Sequence, residues 1–359
     1  MKKRAFNFAA GPATLPYEVL EASAAALLDF QGKGFGIAEC SHRGKEFDAV
    51  LDETIARCRS LLQIPDTHDV LFLQGGATQQ FALIPMNFLN GTSDYLITGE
   101  WSKKAADTAK GIAPDKVRVI ASGEATGFDR HPTGWTADPN ASYLHICSNE
   151  TVHGNRFVEW PKHPTLMVDA SSEIMSRPHP IARTAMVYGG AQKNLGPSGL
   201  VLIIVRKDLY DRIGKSVPKI FNYKVHAEAK SCLNTPPTFG VYVLLEMFRW
   251  MERQGGLPAI EKRNADKAKL IYDAIDGSGG FYKGTVADPA VRSHMNITFK
   301  LPSEPLTEKF LKEASGKNML ALKGYRTVGG IRASVYNGMP VEGCQALADH
   351  MREFMKANG

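Results

Sequence analysis

The stretch Met186-Val-Tyr188-Gly-Gly-Ala-Gln-Lys193-Asn-Leu-Gly-Pro-Ser-Gly199-Leu-Val-Leu-Ile-Ile-Val205 holds two short apolar runs, Met186–Tyr188 and Leu200–Val205, joined by small residues around one lysine. Runs this short and apolar read as strands buried on both faces. Working outward, Thr165–Val168, Tyr143–Ile146, Val117–Ile120, Asp94–Thr98 and Val70–Leu73 repeat the pattern, and Thr78–Leu89 and Ser102–Lys110 between them have the apolar spacing of covering helices. This alternation predicts an α/β fold around a mostly parallel sheet. A ligand site is then expected beyond the carboxyl ends of the strands.

Beyond Thr235 the pattern changes. Pro236-Pro237 is expected to open a helix running to about Gln254, since proline lacks only an N–H that a first turn leaves unpaired. Gly255-Gly256 ends that helix, and a second helical pattern, Leu257–Ile275, leads into a smaller α+β unit. Its expected strands are Met295–Leu301, Met319–Leu322 and Ile331–Val335, with helices near Thr307–Ala314 and Val341–Ala357. The reading is a large domain over residues 16–256 and a small C-terminal domain over 257–359, with residues 1–15 packing near the site. There is no internal repeat or low-complexity segment.

Composition narrows the class. The chain has 359 residues, 43% hydrophobic and 22% charged, more than one compact core usually fills. Its five cysteines are scattered, without CxxC pairing or metal-site spacing, and the ten histidines form no HxxxH or HExxH pattern. We therefore expect a reducing, cytoplasmic setting and no metal. No run approaches the roughly 20 apolar residues of a membrane span. The formal charge of +6 is dispersed rather than gathered in a basic stripe, so nucleic acid is not an expected partner.

Several residues can carry chemistry. Lys193, at a strand's end among small residues, can be desolvated into a nucleophilic amine, the plain alternative being a solvated loop lysine. Asp169 ends the apolar run Thr165-Leu-Met-Val-Asp169 and can pair with a pyridinium nitrogen, or simply cap a helix. Gln74-Gly-Gly-Ala77-Thr78 leads from strand to helix, a geometry that aims backbone N–H groups at an anion. It lacks the Walker and GxGxxG patterns and also fits an ordinary tight turn. Trp101 follows a strand and can offer a flat face to an aromatic cofactor or belong to the core. Thr151 in Ser148-Asn-Glu-Thr151-Val-His-Gly154 can donate a hydrogen bond or serve turn chemistry. Two basic clusters, His42-Arg43 and Gly324-Tyr325-Arg326 with Arg332, suggest a multiply anionic substrate if they converge. Asn234-Thr235 precedes the proline-led helix, where capping suffices as an explanation.

Together these motifs resemble the phosphoserine aminotransferases, fold-type I pyridoxal-phosphate (PLP) enzymes of the class V aminotransferase group. The resemblance covers essentially the whole chain. Its most specific pieces are Ser41-His-Arg-Gly-Lys-Glu-Phe47, Ala191-Gln-Lys-Asn-Leu-Gly-Pro197, Asn234-Thr-Pro-Pro-Thr-Phe239 and Val328-Gly-Gly-Ile-Arg-Ala-Ser334. It implies that Lys193 forms the Schiff base with PLP, that Asp169 pairs with the ring nitrogen, and that Trp101 stacks on the ring. Ala77, Thr78, Thr151 and Gln192 complete the cofactor site, and Asn234 and Thr235 reach the cofactor phosphate of a neighbouring subunit in a homodimer. His42, Arg43, Arg326 and Arg332 match positions that hold substrate phosphate and carboxylates.

The implied reaction moves an amino group between L-glutamate and 3-phosphohydroxypyruvate, giving O-phospho-L-serine and 2-oxoglutarate in serine biosynthesis. 4-Phosphohydroxy-L-threonine, in pyridoxine biosynthesis, is a further substrate the resemblance allows. The alternative is another class V aminotransferase acting on serine, alanine or glyoxylate. A cysteine desulfurase would need a mobile nucleophilic cysteine, and Cys344 falls in an expected helix. The chain departs from the family at Tyr325, where histidine is usual, and tyrosine cannot carry that positive charge.

Overall fold

The computed structural model describes residues 4–359. Strand β1 (Phe6–Asn7) and helices α1 (Tyr17–Leu28) and α2 (Lys45–Leu62) precede an alternating region. That region comprises β2 (His68–Gln74), α3 (Ala77–Phe88), β3 (Ser93–Ile97), α4 (Glu100–Ile112), β4 (Val117–Ser122), β5 (Leu144–Cys147), β6 (Leu166–Asp169), β7 (Met186–Gly190) and β8 (Leu200–Arg206). After the short α5 (Tyr223–Glu228) come α6 (Thr238–Arg253) and α7 (Gly256–Asp276). The chain ends with β9 (Lys283–Gly284), β10 (Asn296–Lys300), α8 (Glu304–Gly316), β11 (Met319–Leu320), β12 (Ile331–Ser334) and α9 (Val341–Asn358).

Strands β2 to β8 form one sheet in the order β2-β8-β7-β6-β5-β3-β4. It is parallel except at β8, which runs against both β2 and β7. Side chains alternate between two cores, as a two-residue period requires. Val70, Phe72, Leu144, Ile146, Val168, Leu202 and Ile204 face a cluster that includes Phe47, Val50 and Leu51 of α2 and Val241, Leu244 and Phe248 of α6. Leu71, Leu73, Tyr95, Met167, Tyr188, Val201 and Ile203 face Phe81 and Ile84 of α3 and Ala105 and Ala109 of α4. Both faces are covered, which is why these strands read as unbroken apolar runs.

A second, antiparallel sheet of order β12-β10-β9 packs on α7, α8 and α9 through a third core containing Ile297, Phe299, Ala333, Ile271, Phe310, Leu347 and Met351. The N-terminal strand β1 pairs in parallel with β11, and Phe8 is fully buried in this third core. The pair Gly255 (φ 93°) and Gly256 (φ 74°) takes the left-handed turn between α6 and α7, a conformation that favours glycine. Helix α6 begins at Thr238 with Pro237 as its N-cap (φ −74°, ψ 85°), so both prolines stand before the helix rather than in its first turn. Pro236 is restricted by the proline after it, and the helical geometry starts only beyond the pair. No described helix is long and apolar enough to cross a membrane.

Candidate active site

The side chains of interest project from the carboxyl ends of β2, β3, β5, β6 and β7. Near the end of β7 the backbone passes close to its neighbours: a Cβ on Gly189 would lie 2.9 Å from the Ile174 side chain. The turn then delivers Lys193, which is 8% exposed and donates from Nζ to Thr151 Oγ1 at 2.6 Å. The same Nζ lies 5.2 Å from the centroid of the Trp101 ring. Burial pushes the Lys193 amine down, against the pull of Asp169 and with a small push from the Arg332 charge.

Asp169 ends β6 and is 3% exposed. Its Oδ1 accepts from the Ser171 amide at 2.9 Å and the Ser171 hydroxyl at 2.5 Å, while no described residue donates to Oδ2. Ser171 Oγ in turn accepts from the Gly190 amide at 3.1 Å, which ties the carboxylate to the strand that leads to Lys193. Asp169 is therefore held by an Asx-type turn rather than capping a helix. Burial raises its carboxyl, with Lys193 and Ser171 opposing. An isolated buried acid and amine are both pushed toward neutrality, which is costly to reverse unless a compensating charge arrives.

Trp101 sits in the first turn of α4, with its backbone amide donating to the buried Glu150. Its indole Nε1 is buried without a partner among the described residues. Just past the end of β2, Gly75 has φ 98°, a backbone conformation that favours glycine. Neither the Ala77 nor the Thr78 amide meets an acceptor among the described residues, leaving the N-terminus of α3 open to an anion.

Gln192 and Lys193 touch the N-terminal segment. The Ala13 amide donates to Gln192 O at 2.8 Å, and a Cβ on Gly11 would lie 3.3 Å from the Gln192 side chain and 3.5 Å from that of Lys193. Tyr336 strengthens this join, its hydroxyl donating to Ala10 O at 3.0 Å and accepting from Asn296 Nδ2 at 3.0 Å.

The structure thus gathers Lys193, Thr151, Asp169 and Trp101, with Arg332 nearby, half-buried and without a side-chain hydrogen bond or ion pair to any described residue. Its guanidinium lies 6.0 Å from the Tyr325 ring centroid. Asn234 and Thr235 do not cap α6, which has no side-chain cap. Instead Asn234 Nδ2 donates to Gln74 Oε1 at 2.9 Å and Gln74 Nε2 donates to Thr235 O, at the rim of the glycine loop. His42, Arg43 and Arg326 have no side-chain hydrogen bond or ion pair to a described residue, and Arg43 and Arg326 are exposed. Cys344 is buried in α9, where burial pushes its thiol up to about 11, unlike a reactive cysteine.

Glu150 and Ser171 were not singled out from sequence. Their one legible signal is position, since each follows a buried strand of the sheet.

These residues fit PLP. An aromatic face, an open helix N-terminus for a phosphate, a buried carboxylate with one free oxygen for a cationic ring nitrogen, and a desolvated lysine amine meet at one place. The class V aminotransferase family model matches residues 5–347. A phosphoserine aminotransferase of Aromatoleum aromaticum is 50% identical over 99% of this chain and 100% of its own length. Among solved structures, the phosphoserine aminotransferase of Bacillus circulans subsp. alkalophilus superposes with a TM-score of 0.96 at 47% identity, covering 99% of each chain. The PLP-bound phosphoserine aminotransferase of Trichomonas vaginalis does so with a TM-score of 0.93 at 37% identity, over 97% of this chain and 100% of that one. With full-length identity at this level and the fold-type I architecture in common, the chain belongs to the phosphoserine aminotransferase family of the class V aminotransferases.

Proposed function

We propose that the residues around Lys193 carry a reversible, PLP-dependent transfer of an amino group between L-glutamate and 3-phosphohydroxypyruvate. The products are O-phospho-L-serine and 2-oxoglutarate, in the route to serine. The observation that carries this reading is the Lys193 amine, buried, hydrogen-bonded to Thr151 and facing Trp101, in a chain of this family. When bound, PLP supplies an aldehyde carbon that captures primary amines and a ring that draws electrons from the substrate α-carbon.

The chain's own residues then take distinct parts. Lys193, driven toward its neutral form by burial, is the base that takes the α-proton and returns it. Asp169 would face the ring nitrogen and Trp101 the ring. Ala77 and Thr78 would hold the cofactor phosphate with the open N-terminus of α3, with Thr151 and Gln192 lining the site. Arg332, lacking a partner among the described residues, would bind a substrate carboxylate. His42, Arg43 and Arg326 would serve the remaining anionic groups.

Because Asn234 and Thr235 sit at the rim beside Gln74, we assign them to the cofactor phosphate of a neighbouring subunit, which makes the working unit a homodimer. We further take residues 16–256 and 257–359 as the large and small domains, and the cytoplasm as the enzyme's location.

A panel of amino donors and acceptors tests the function. Glutamate and phosphoserine should each convert the cofactor's aldehyde absorbance to that of the amine form, with 2-oxoglutarate or 3-phosphohydroxypyruvate reversing it, and 4-phosphohydroxythreonine tests the wider range. Conversion by serine or alanine but not by phosphoserine would instead establish a different class V activity.

A further inference from the structure

Tyr325 lacks the charge that a histidine would bring, yet in the structure an ammonium comes to it from another element. Lys104, one turn after Trp101 on α4, donates from Nζ to the Tyr325 hydroxyl at 3.4 Å and lies 5.7 Å from that ring's centroid. The same Nζ is 4.8 Å from the Trp101 ring centroid and 3.0 Å from Glu100 Oε1. The Arg332 guanidinium is 6.0 Å from the Tyr325 ring. The Tyr325 hydroxyl therefore meets one cation with a second near its ring, and Glu100 is the one carboxylate among the described residues paired with either. The hydroxyl accepts from Lys104 and donates to no described residue, so its proton is free for a ligand.

A surface Glu-Lys pair spaced i,i+4 explains part of this placement but gives no reason for the ammonium to reach an aromatic hydroxyl on a distant loop. An incoming anion does. We propose that Lys104 is a specificity-determining residue: with Tyr325 it binds the phosphate end of the substrate, the ammonium supplying charge and the hydroxyl a directed hydrogen bond. A phosphate monoester carries up to two negative charges near neutral pH, whereas the side-chain carboxylate of glutamate carries one, so an added cation favours the phosphorylated substrate. The proposal rests on the functional reading above.

The test measures wild-type turnover of phosphoserine first; its absence would overturn the functional reading, and this proposal with it. Given that turnover, Lys104→Met should raise KM for phosphoserine about tenfold and KM for glutamate by less than about threefold, the loss falling on KM rather than kcat. Inorganic phosphate, used as a competitive inhibitor of the glutamate half-reaction, should weaken by a factor similar to that for phosphoserine. Lys104→Arg should keep most of the affinity, and Tyr325→Phe should reproduce part of the loss. Unchanged phosphoserine KM and unchanged phosphate inhibition in Lys104→Met would overturn the proposal. So would an equal loss for both substrates with a fall in kcat, because Lys104 would then be acting through Trp101.

Discussion

Glu150 holds Trp101 in place from 49 residues away: its Oε2 accepts from the Trp101 amide at 3.0 Å, while its Oε1 accepts from the Ser102 amide at 2.9 Å and the Ser102 hydroxyl at 2.6 Å. A carboxylate so placed satisfies the first amides of α4 and meets the positive end of the helix. Glu150→Ala leaves these buried donors unpaired and should cost about 2–4 kcal/mol of stability. Urea denaturation measures that loss, and a change in tryptophan emission should accompany it. A stability within 0.5 kcal/mol of wild type, roughly the noise of a surface substitution, would contradict the capping role.

Lys193→Ala removes the amine that the cofactor would capture. Borohydride treatment of the PLP-loaded variant should no longer attach cofactor to the chain, and transamination should fall by ~10³-fold or more. If reduction still fixes PLP covalently, another lysine holds it.

Arg332 is half-buried and has no acceptor among the described residues, so its pairing energy is available to a substrate carboxylate. Arg332→Leu should reduce kcat/KM for both glutamate and phosphoserine by about ten- to a hundredfold, equivalent to ~1.5–3 kcal/mol for a lost charged hydrogen bond. Unchanged kinetics with both substrates would remove Arg332 from the site.

His145, 1% exposed and bonded through Nε2 to the Tyr188 hydroxyl at 2.8 Å, is pushed by burial down to about 3. The unfolded chain, with an ordinary histidine near pKa 6.5, binds a proton that the folded chain refuses. Stability from this residue is therefore complete above about pH 6.5 and lost as the pH falls, by about 2 kcal/mol at pH 5. Denaturation midpoints at pH 7 and pH 5, compared between wild type and His145→Gln, should show a flatter dependence in the variant even if it is less stable at both. An equally steep fall in the variant would place the acid sensitivity elsewhere, for instance at His153, His179 or His294, each pushed down to about 4 by burial.

Much of the main sheet was legible because buried strands carry local marks: an apolar run ended by small or polar residues. Lys193, Asp169 and the Gly75–Thr78 turn all stand at such ends, and the rule that ligands bind beyond them groups these residues from the sequence. The reversal of β8 was readable too, since the residues between Gly190 and Leu200 are fewer than the dozen or more that a parallel crossover needs. Periodicity alone gives a strand no direction, so that step required counting the loop.

Other features have no local mark. The pairing of β1 with β11, the cap that Glu150 places on α4, and the meeting of Lys104 with Tyr325 join residues remote in sequence. Hydrophobic pattern and turn chemistry specify which face of an element is buried, and so the composition of the strands and the residues at their ends followed from the chain alone. Which polar side chains meet across that packing depends on how the elements dock. Only the docked fold made a capping acid of Glu150 and brought the Lys104 ammonium to the Tyr325 hydroxyl.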